Sequence, residues 1–200
     1  MSIFGLEINA IFIIAQIAGF AAMGVVVMSY QMKHRASIIA MQIFSNLLWI
    51  LHYLLLGSYS AVVANSIGTV RNVLYGVRGK YKFADSKLIP SAFIVIFVIS
   101  GIITYKNIFD VLPMIAMIIA SIAFFIEDEK IIRILSVPLS SLWLIYAIRN
   151  VSIAGMVSES LVLISVIVAI IRYHGFDLYE KTAKDYSSRE KSEGKANDEN

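Results

Sequence analysis

Long apolar runs alternate with short charged breaks along the chain. The runs cover roughly 8–30, a pair that turns at Leu56-Gly57-Ser58 and ends near 77, then 88–104, 108–126, 130–148 and 152–173. Helices rise about 1.5 Å per residue and a bilayer core is about 30 Å thick, so runs of this length predict membrane-spanning helices. The pair around Gly57 carries more polar side chains than apolar spans usually do. Gln42, Asn46, Trp49 and Tyr53 recur at i, i+4, i+7, i+11 and share one helix face. Ala61, Asn65, Gly68 and Asn72 repeat that spacing after the turn. Small and polar stripes on an otherwise Leu/Ile/Val surface predict faces that pack inside a bundle. Trp49 and Asn65 are equally far from Gly57 along the chain, so they lie at one depth, about 12 Å inside the turn.

Composition sharpens this picture. Of 200 residues 58% are hydrophobic and 16% charged, less charge than a water-soluble domain carries. There is no cysteine, which excludes disulfides, thiolate metal sites and cysteine nucleophiles. The first nine residues lack a basic region and a small-residue cleavage site, so a removable signal peptide is not expected there. With the N-terminus outside, the inner loops hold Lys33, Arg35, Arg78, Lys80, Lys82, Lys87, Lys130 and Arg133. The outer loops hold only Lys106 and Arg149, so the positive-inside rule predicts N-terminus out and C-terminus cytoplasmic. Residues 175–200 mix acidic and basic side chains with few apolar ones and predict a disordered cytoplasmic tail.

The chain also matches itself at an offset of 94 residues, the interval from Trp49 to Trp143. Ala22-Met23 falls on Ala116-Met117, Ser58 on Ser152, Ser66 on Ser160 and Asn65 on Glu159. Two copies of a three-helix unit are therefore expected, about 8–79 and 107–173, within a membrane domain of 1–174. The helix at about 86–104 links them and restores a parallel orientation, which predicts a pseudo-two-fold axis along the membrane normal. The expected fold class is an all-α polytopic membrane protein, seven transmembrane helices arranged 3+1+3.

The segments QIAGFAAM (16–23), SYQMKHR (29–35), SNLLWILHYLLLG (45–57) and ANSIGTVRN (64–72) resemble the bacterial inner-membrane YgjV-type family. The 3+1+3 plan also resembles the SWEET and PQ-loop transporters. That resemblance implies a central pocket with an aromatic residue on the second helix of each unit and an asparagine on the third. Trp49 with Asn65, and Trp143 with Glu159, stand at those places, Glu159 where the sugar carriers have a neutral amide.

Asn46, Trp49, Asn65, Ser140, Trp143 and Glu159 are the expected solute-binding residues, with Gln42, His52, Arg71 and Asn72 as secondary candidates. A carboxylate inside a span costs about 2.5–3.5 kcal/mol on insertion scales, so Glu159 invites a proton or a cation. Asn65 can bond a solute or tie helices together, and the two tryptophans can stack on a ring or pack. His52 can carry protons or serve as a bonded structural residue. The long stem of Arg71 is expected to snorkel to the cytoplasmic interface. Pro113 and Pro138 are candidate hinges, with Ser136, Ser140 and Ser141 around the second. Two functions fit these residues. One is a small polar solute carrier working by alternating access, with Glu159 able to couple it to protons. The other is a non-transporting receptor or assembly protein that binds through its inner loops or tail. No nucleophile constellation or metal-ligand cluster is visible, so no enzyme activity, cofactor or metal is expected. The bilayer and a small solute are the expected partners, nucleic acid is not, and a homo-oligomer is left open.

Overall fold

The computed structural model describes residues 2–172 apart from 4, 5, 8, 30, 33, 34, 87, 127 and 128. The expected tail at 175–200 lies outside the described residues. The fold is helical: α1 (Ala10–Ser29), α2 (Arg35–Leu55), α3 (Tyr59–Gly76), α4 (Leu88–Thr104), α5 (Val111–Ile126), α6 (Glu129–Arg149) and α7 (Ile153–Arg172). Short 3-10 helices, Lys82–Asp85 and Ile108–Asp110, precede α4 and α5. A minimal antiparallel pair, Ser2–Ile3 with Leu6–Glu7, precedes α1.

Length and apolarity mark three helices as able to cross a membrane, Ala10–Ser29, Lys130–Arg149 and Ile153–Arg172. Ala40–Leu55, Leu88–Thr104 and Ile108–Ala123 are shorter apolar helices. α3 belongs to neither set, because Asn65, Thr69, Arg71 and Asn72 interrupt its apolar surface.

The distribution of side-chain size explains what faces what. On α1 the buried positions are Ala15, Gln16, Ala18, Gly19, Ala22 and Ser29, whereas Ile11, Ile13, Ile14 and Ile17 are exposed. A water-soluble helix buries its large aliphatic side chains. A helix in lipid gains nothing from burying them, and its small residues let neighbouring backbones approach. α1 packs along α2, α2 on α3, α5 on α6, and α4 joins α3 and α5. The core between them is aromatic: Tyr53, Phe93, Phe97, Trp143 and Tyr146 meet Met114 and Ala116.

The two tight helix connections share one geometry. Ser58 N–H donates to Tyr53 O at 2.9 Å and Gly57 N–H to Leu54 O at 3.0 Å. After α6, Ser152 N–H donates to Ala147 O at 2.9 Å and Val151 N–H to Ile148 O at 3.2 Å. Both are six-to-one, five-to-two helix caps, which need a left-handed residue at the second position of the turn. Gly57 (φ 72°) and Val151 (φ 52°) fill it, 94 residues apart. A Cβ at Gly57 would meet no atom within 4 Å, so its only obstacle is the backbone conformation. Gly57→Ala is expected to destabilise the protein by about 1 kcal/mol in detergent unfolding. Gly24→Ala, also in open space but inside α1, is expected to be neutral or slightly stabilising. Equal effects at the two sites would contradict the assignment.

Candidate functional site

The expected solute-binding residues fall into two groups. In the first, Trp49 stacks on Tyr53 at 6.0 Å between centroids, and Tyr53 meets Trp143 at 5.8 Å and Tyr146 at 6.0 Å. Rings from α2 and α6 thus form one continuous cluster. Ser140, one turn before Trp143 on α6, lies near Glu159 of α7. Glu159 also lies within electrostatic reach of the Tyr53 phenol. Tyr53, Ser140, Trp143 and Glu159 therefore belong to one neighbourhood, with Trp49 at its edge.

Asn65 forms the second group with its own helix. Its Nδ2 donates to Ala61 O at 2.9 Å, as Ser66 does to Val62 O and Thr69 to Asn65 O. Back-bonding of this kind satisfies polar donors in an apolar setting without a partner helix. Ser136 and Ser141 do the same around Pro138, leaving Ser140 as the serine of that trio turned to a neighbour. Asn46, Trp49, Asn65 and Glu159 are all half-buried. On the α2 stripe burial falls from Tyr53, buried, through Trp49 and Asn46, half-buried, to Gln42, exposed; on α3 Ala61 and Gly68 are buried, Asn65 half-buried and Asn72 exposed. The secondary candidates Gln42 and Asn72 are thus exposed rather than inside.

At the turn end the packing closes, through polar bonds that the hydropathy pattern does not signal. His52, fully buried, places Nδ1 2.6 Å from Ala15 O and Nε2 2.6 Å from Ser152 Oγ. A carbonyl only accepts, so Nδ1 carries the proton and Nε2 accepts from the serine. Ser152 Oγ in turn accepts from Gly155 N–H at 3.0 Å. Gln16 adds to this staple: Nε2 donates to Val151 O at 3.1 Å and Oε1 accepts from Ala154 N–H at 3.1 Å. Both ring nitrogens are occupied, which makes His52 a tether of α1 and α2 to the α6–α7 turn. Gly19 is its floor, since a Cβ there would lie 2.6 Å from Ala154 Cβ and 2.8 Å from His52 Nδ1.

A second staple lies across the same end. Tyr146 of α6 reaches Ser60 Oγ at 2.8 Å, and Ser60 Oγ donates to Asp110 Oδ1 at 3.0 Å. Ser58 Oγ donates to Asn150 Oδ1 at 2.8 Å. The offset of 94 residues carries Gln16 onto Asp110, His52 onto Tyr146, Ser58 onto Ser152 and Ser60 onto Ala154. Gln16–Ala154 and Asp110–Ser60 are thus corresponding contacts, and the corresponding residues His52 and Tyr146 each bond a serine across this end, Ser152 and Ser60. The sequence reading named His52 as a possible bonded structural residue but missed the roles of Gln16, Ser60, Asp110 and Tyr146. A lone glutamine in α1 and its counterpart Asp110 were the available signal.

One expectation needs correction. Arg71 does not snorkel: it is 2% exposed, and Nη1 donates to Met117 O at 2.9 Å and Ser121 Oγ at 3.1 Å on α5. Its Nε and Nη2 hold Asn72 Oδ1, and the guanidinium lies 5.9 Å from the Phe97 ring centre. Its donors are taken up by α5 and by Asn72 instead. Pro113, a candidate hinge, stands at the start of α5. The 3-10 turn Ile108–Asp110 shifts the start of α5 to Val111, and the fully buried Pro113 sits in the first turn, where proline is tolerated. Pro138 does lie inside α6.

A cavity of about 440 Å³ opens between α4 and α5, lined by Phe97, Gly101, Tyr105, Met114 and Ile118 among others. Another of about 380 Å³ lies between α1 and α7, lined by Met23, Val27, Ser158, Val162 and Ser165 among others. Neither includes Asn65, Ser140 or Glu159. Among the described residues no group of three or more His, Asp or Glu could hold a metal ion.

A protein-family model described as Imp-YgjV, bacterial inner membrane protein, matches residues 13–176. No curated protein and no solved structure matches the chain, so the resemblance to SWEET and PQ-loop carriers is left without support.

Proposed function

The chain belongs to the Imp-YgjV family of bacterial inner membrane proteins, and from that premise we propose that it is a carrier of a small polar solute working by alternating access. All seven helices cross the bilayer in this reading, with the N-terminus outside and the C-terminus in the cytoplasm. Helices α1–α3 and α5–α7 form two pseudo-symmetric bundles joined by α4. Support for the pairing comes from the two staples, whose contacts correspond at one offset, and from the matching turns at Gly57 and Val151. Support for the orientation is the excess of lysine and arginine in the loops placed inside.

The observation that carries the proposal is the pair of staples that bond the two halves together at the turn end, with Trp49, Asn65 and Glu159 half-buried further along the helices. A carrier paused with its outer end closed has this form. Moving the solute then requires the staples to part while the opposite end closes, with Pro138 as a bending point in α6. Glu159 is the group that takes the coupling proton or a cation.

The turn end supplies the test. Ser58 and Asn150 touch at 2.8 Å, and the chain has no cysteine of its own. In the Ser58→Cys/Asn150→Cys double variant, oxidation is expected to abolish solute uptake into proteoliposomes and reduction to restore it. Uptake that continues in the fully cross-linked protein would refute alternating access through this end.

A further inference from the structure

We infer that the cavity between α1 and α7 binds a neutral amphiphile, an alkyl body with a hydroxyl head, taken up from the hydrocarbon of the bilayer. This goes beyond the carrier reading and does not depend on transport. The offset of 94 residues accounts for the cavity. It carries Met23 onto Met117, Val27 onto Ser121, Val162 onto Gly68, Ser165 onto Arg71 and Val166 onto Asn72. The space between α1 and α7 is therefore the counterpart of the seam between α3 and α5. In that seam Gly68 lies close against α5, where a Cβ would meet Met117 Sδ at 3.2 Å. The fully buried Arg71 side chain fills the place beside it, with its head on Met117 O, Ser121 Oγ and Asn72 Oδ1. In the other half Val162 puts a branched side chain where Gly68 has none. Ser165 supplies a single hydroxymethyl where Arg71 supplies a long stem and a guanidinium. About 380 Å³ is left between the helices.

The lining defines what fits. Among the described residues it consists of valine, leucine and methionine side chains with two serines, Ser158 and Ser165, and it carries no charge. No hydrogen bond joins either hydroxyl to another described residue. Ser66, Ser136 and Ser141, by contrast, bond back to their own helices. A hydroxyl left bare in an apolar setting is costly, and a ligand hydroxyl removes that cost by donating to one serine and accepting from the other. Plain hydrocarbon leaves both bare. A cationic head is disfavoured, because Val27 and Val166 stand where Ser121 and Asn72 hold the guanidinium in the other seam. Depth excludes a phospholipid headgroup. Helix α7, Ile153–Arg172, is long and apolar enough to cross a membrane, and Ser158 and Ser165 lie about 8 and 18 Å along it from Ile153. Headgroups stay outside the hydrocarbon core, so a phospholipid would offer these serines only its chain. A small amphiphile can carry its head down to them.

The test photolabels the full-length protein in liposomes with octanol carrying a diazirine on its chain, and with the matching diazirine of octane. Adducts are mapped by peptide mass spectrometry. The octanol reagent should label the α1 and α7 lining saturably, at least about threefold more than the octane reagent, and unlabelled octanol should compete. The cavity between α4 and α5, whose lining holds no serine among the described residues, is the internal comparator and should show no such preference. Ser158→Ala/Ser165→Ala should lower octanol labelling at least about threefold and leave octane labelling unchanged. Ser165→Leu, which fills the space, should abolish labelling by both reagents there and spare the α4–α5 cavity; Val27→Phe fills it from α1 should that variant fail to fold. The two-reagent comparison on the parent protein decides even if no variant folds. Labelling that does not saturate, equal labelling by octane, or no change in the double alanine variant overturns the inference. Competition by octylammonium as strong as by octanol overturns the neutral class. If a phospholipid with a diazirine on its chain labels the lining and octanol does not displace it, the site is a chain groove and the inference falls. None of these outcomes bears on the carrier reading, which the cross-link at the turn end tests separately.

Discussion

Arg71→Ala is expected to destabilise the protein by about 3 kcal/mol, measured by unfolding in mixed detergent micelles. The guanidinium is the link from the middle of α3 to the middle of α5. It bonds Met117 O, Ser121 Oγ and Asn72 Oδ1 and lies near the face of Phe97. Tyr75, one turn further on, donates to Ser121 O at 3.1 Å and strengthens the same seam. Truncation leaves a void between helices and acceptors that have lost a charged donor. Arg71→Lys should recover less than half of the loss, because an ammonium is a point charge and cannot fork to α5 and Asn72 together. An alanine variant as stable as the parent would contradict this role.

His52→Ala is expected to cost about 2–3 kcal/mol, while Tyr146→Phe, at the corresponding position, should cost about 1 kcal/mol or less. The difference follows from what each removes. The alanine loses a fully buried ring and both bonds of the tether, leaving Ser152 Oγ without its acceptor. The phenylalanine keeps the ring and leaves the Ser60–Asp110 bond in place. Both changes loosen the closed end, so in uptake measurements both should favour the opposite conformation, His52→Ala more strongly. A histidine variant with unchanged stability and transport would show that the staple closes nothing.

Much of the helical plan was legible because apolar runs and charged breaks are a one-dimensional signal. The expected run at 88–104 is α4, that at 130–148 differs from α6 by a residue at each end, and that at 152–173 begins one residue before α7. The stripe from Gln42 to Tyr53 was legible as a face, but periodicity cannot tell which end of a face is shut. Gln42 therefore looked like a pocket residue and is exposed. Arg71 was misread for a related reason. Hydropathy prices a charge by depth, and whether its donors meet water or a neighbouring carbonyl depends on what lies across the groove. That Pro113 lies in a first turn was not legible, because a 3-10 turn moved the start of its helix by a few residues. The staples were the least legible part. Gln16, Ser60, Asp110 and Ser152 are single polar residues whose partners lie far away in sequence, and no local pattern announces them. Only the offset of the two tryptophans hinted at the correspondence that these bonds follow.

The central claim is that the striped faces of the two bundles look onto one water-filled space between them. Because the chain has no cysteine, Asn65→Cys and Glu159→Cys each introduce a unique thiol. The decisive measurement is their labelling by a small membrane-impermeant thiol reagent applied to each side of oriented vesicles in turn. Both thiols should react from the cytoplasmic side and stay silent from the outside. If neither reacts from either side while a lipid-soluble reagent labels both, the faces look onto lipid and the carrier has no interior.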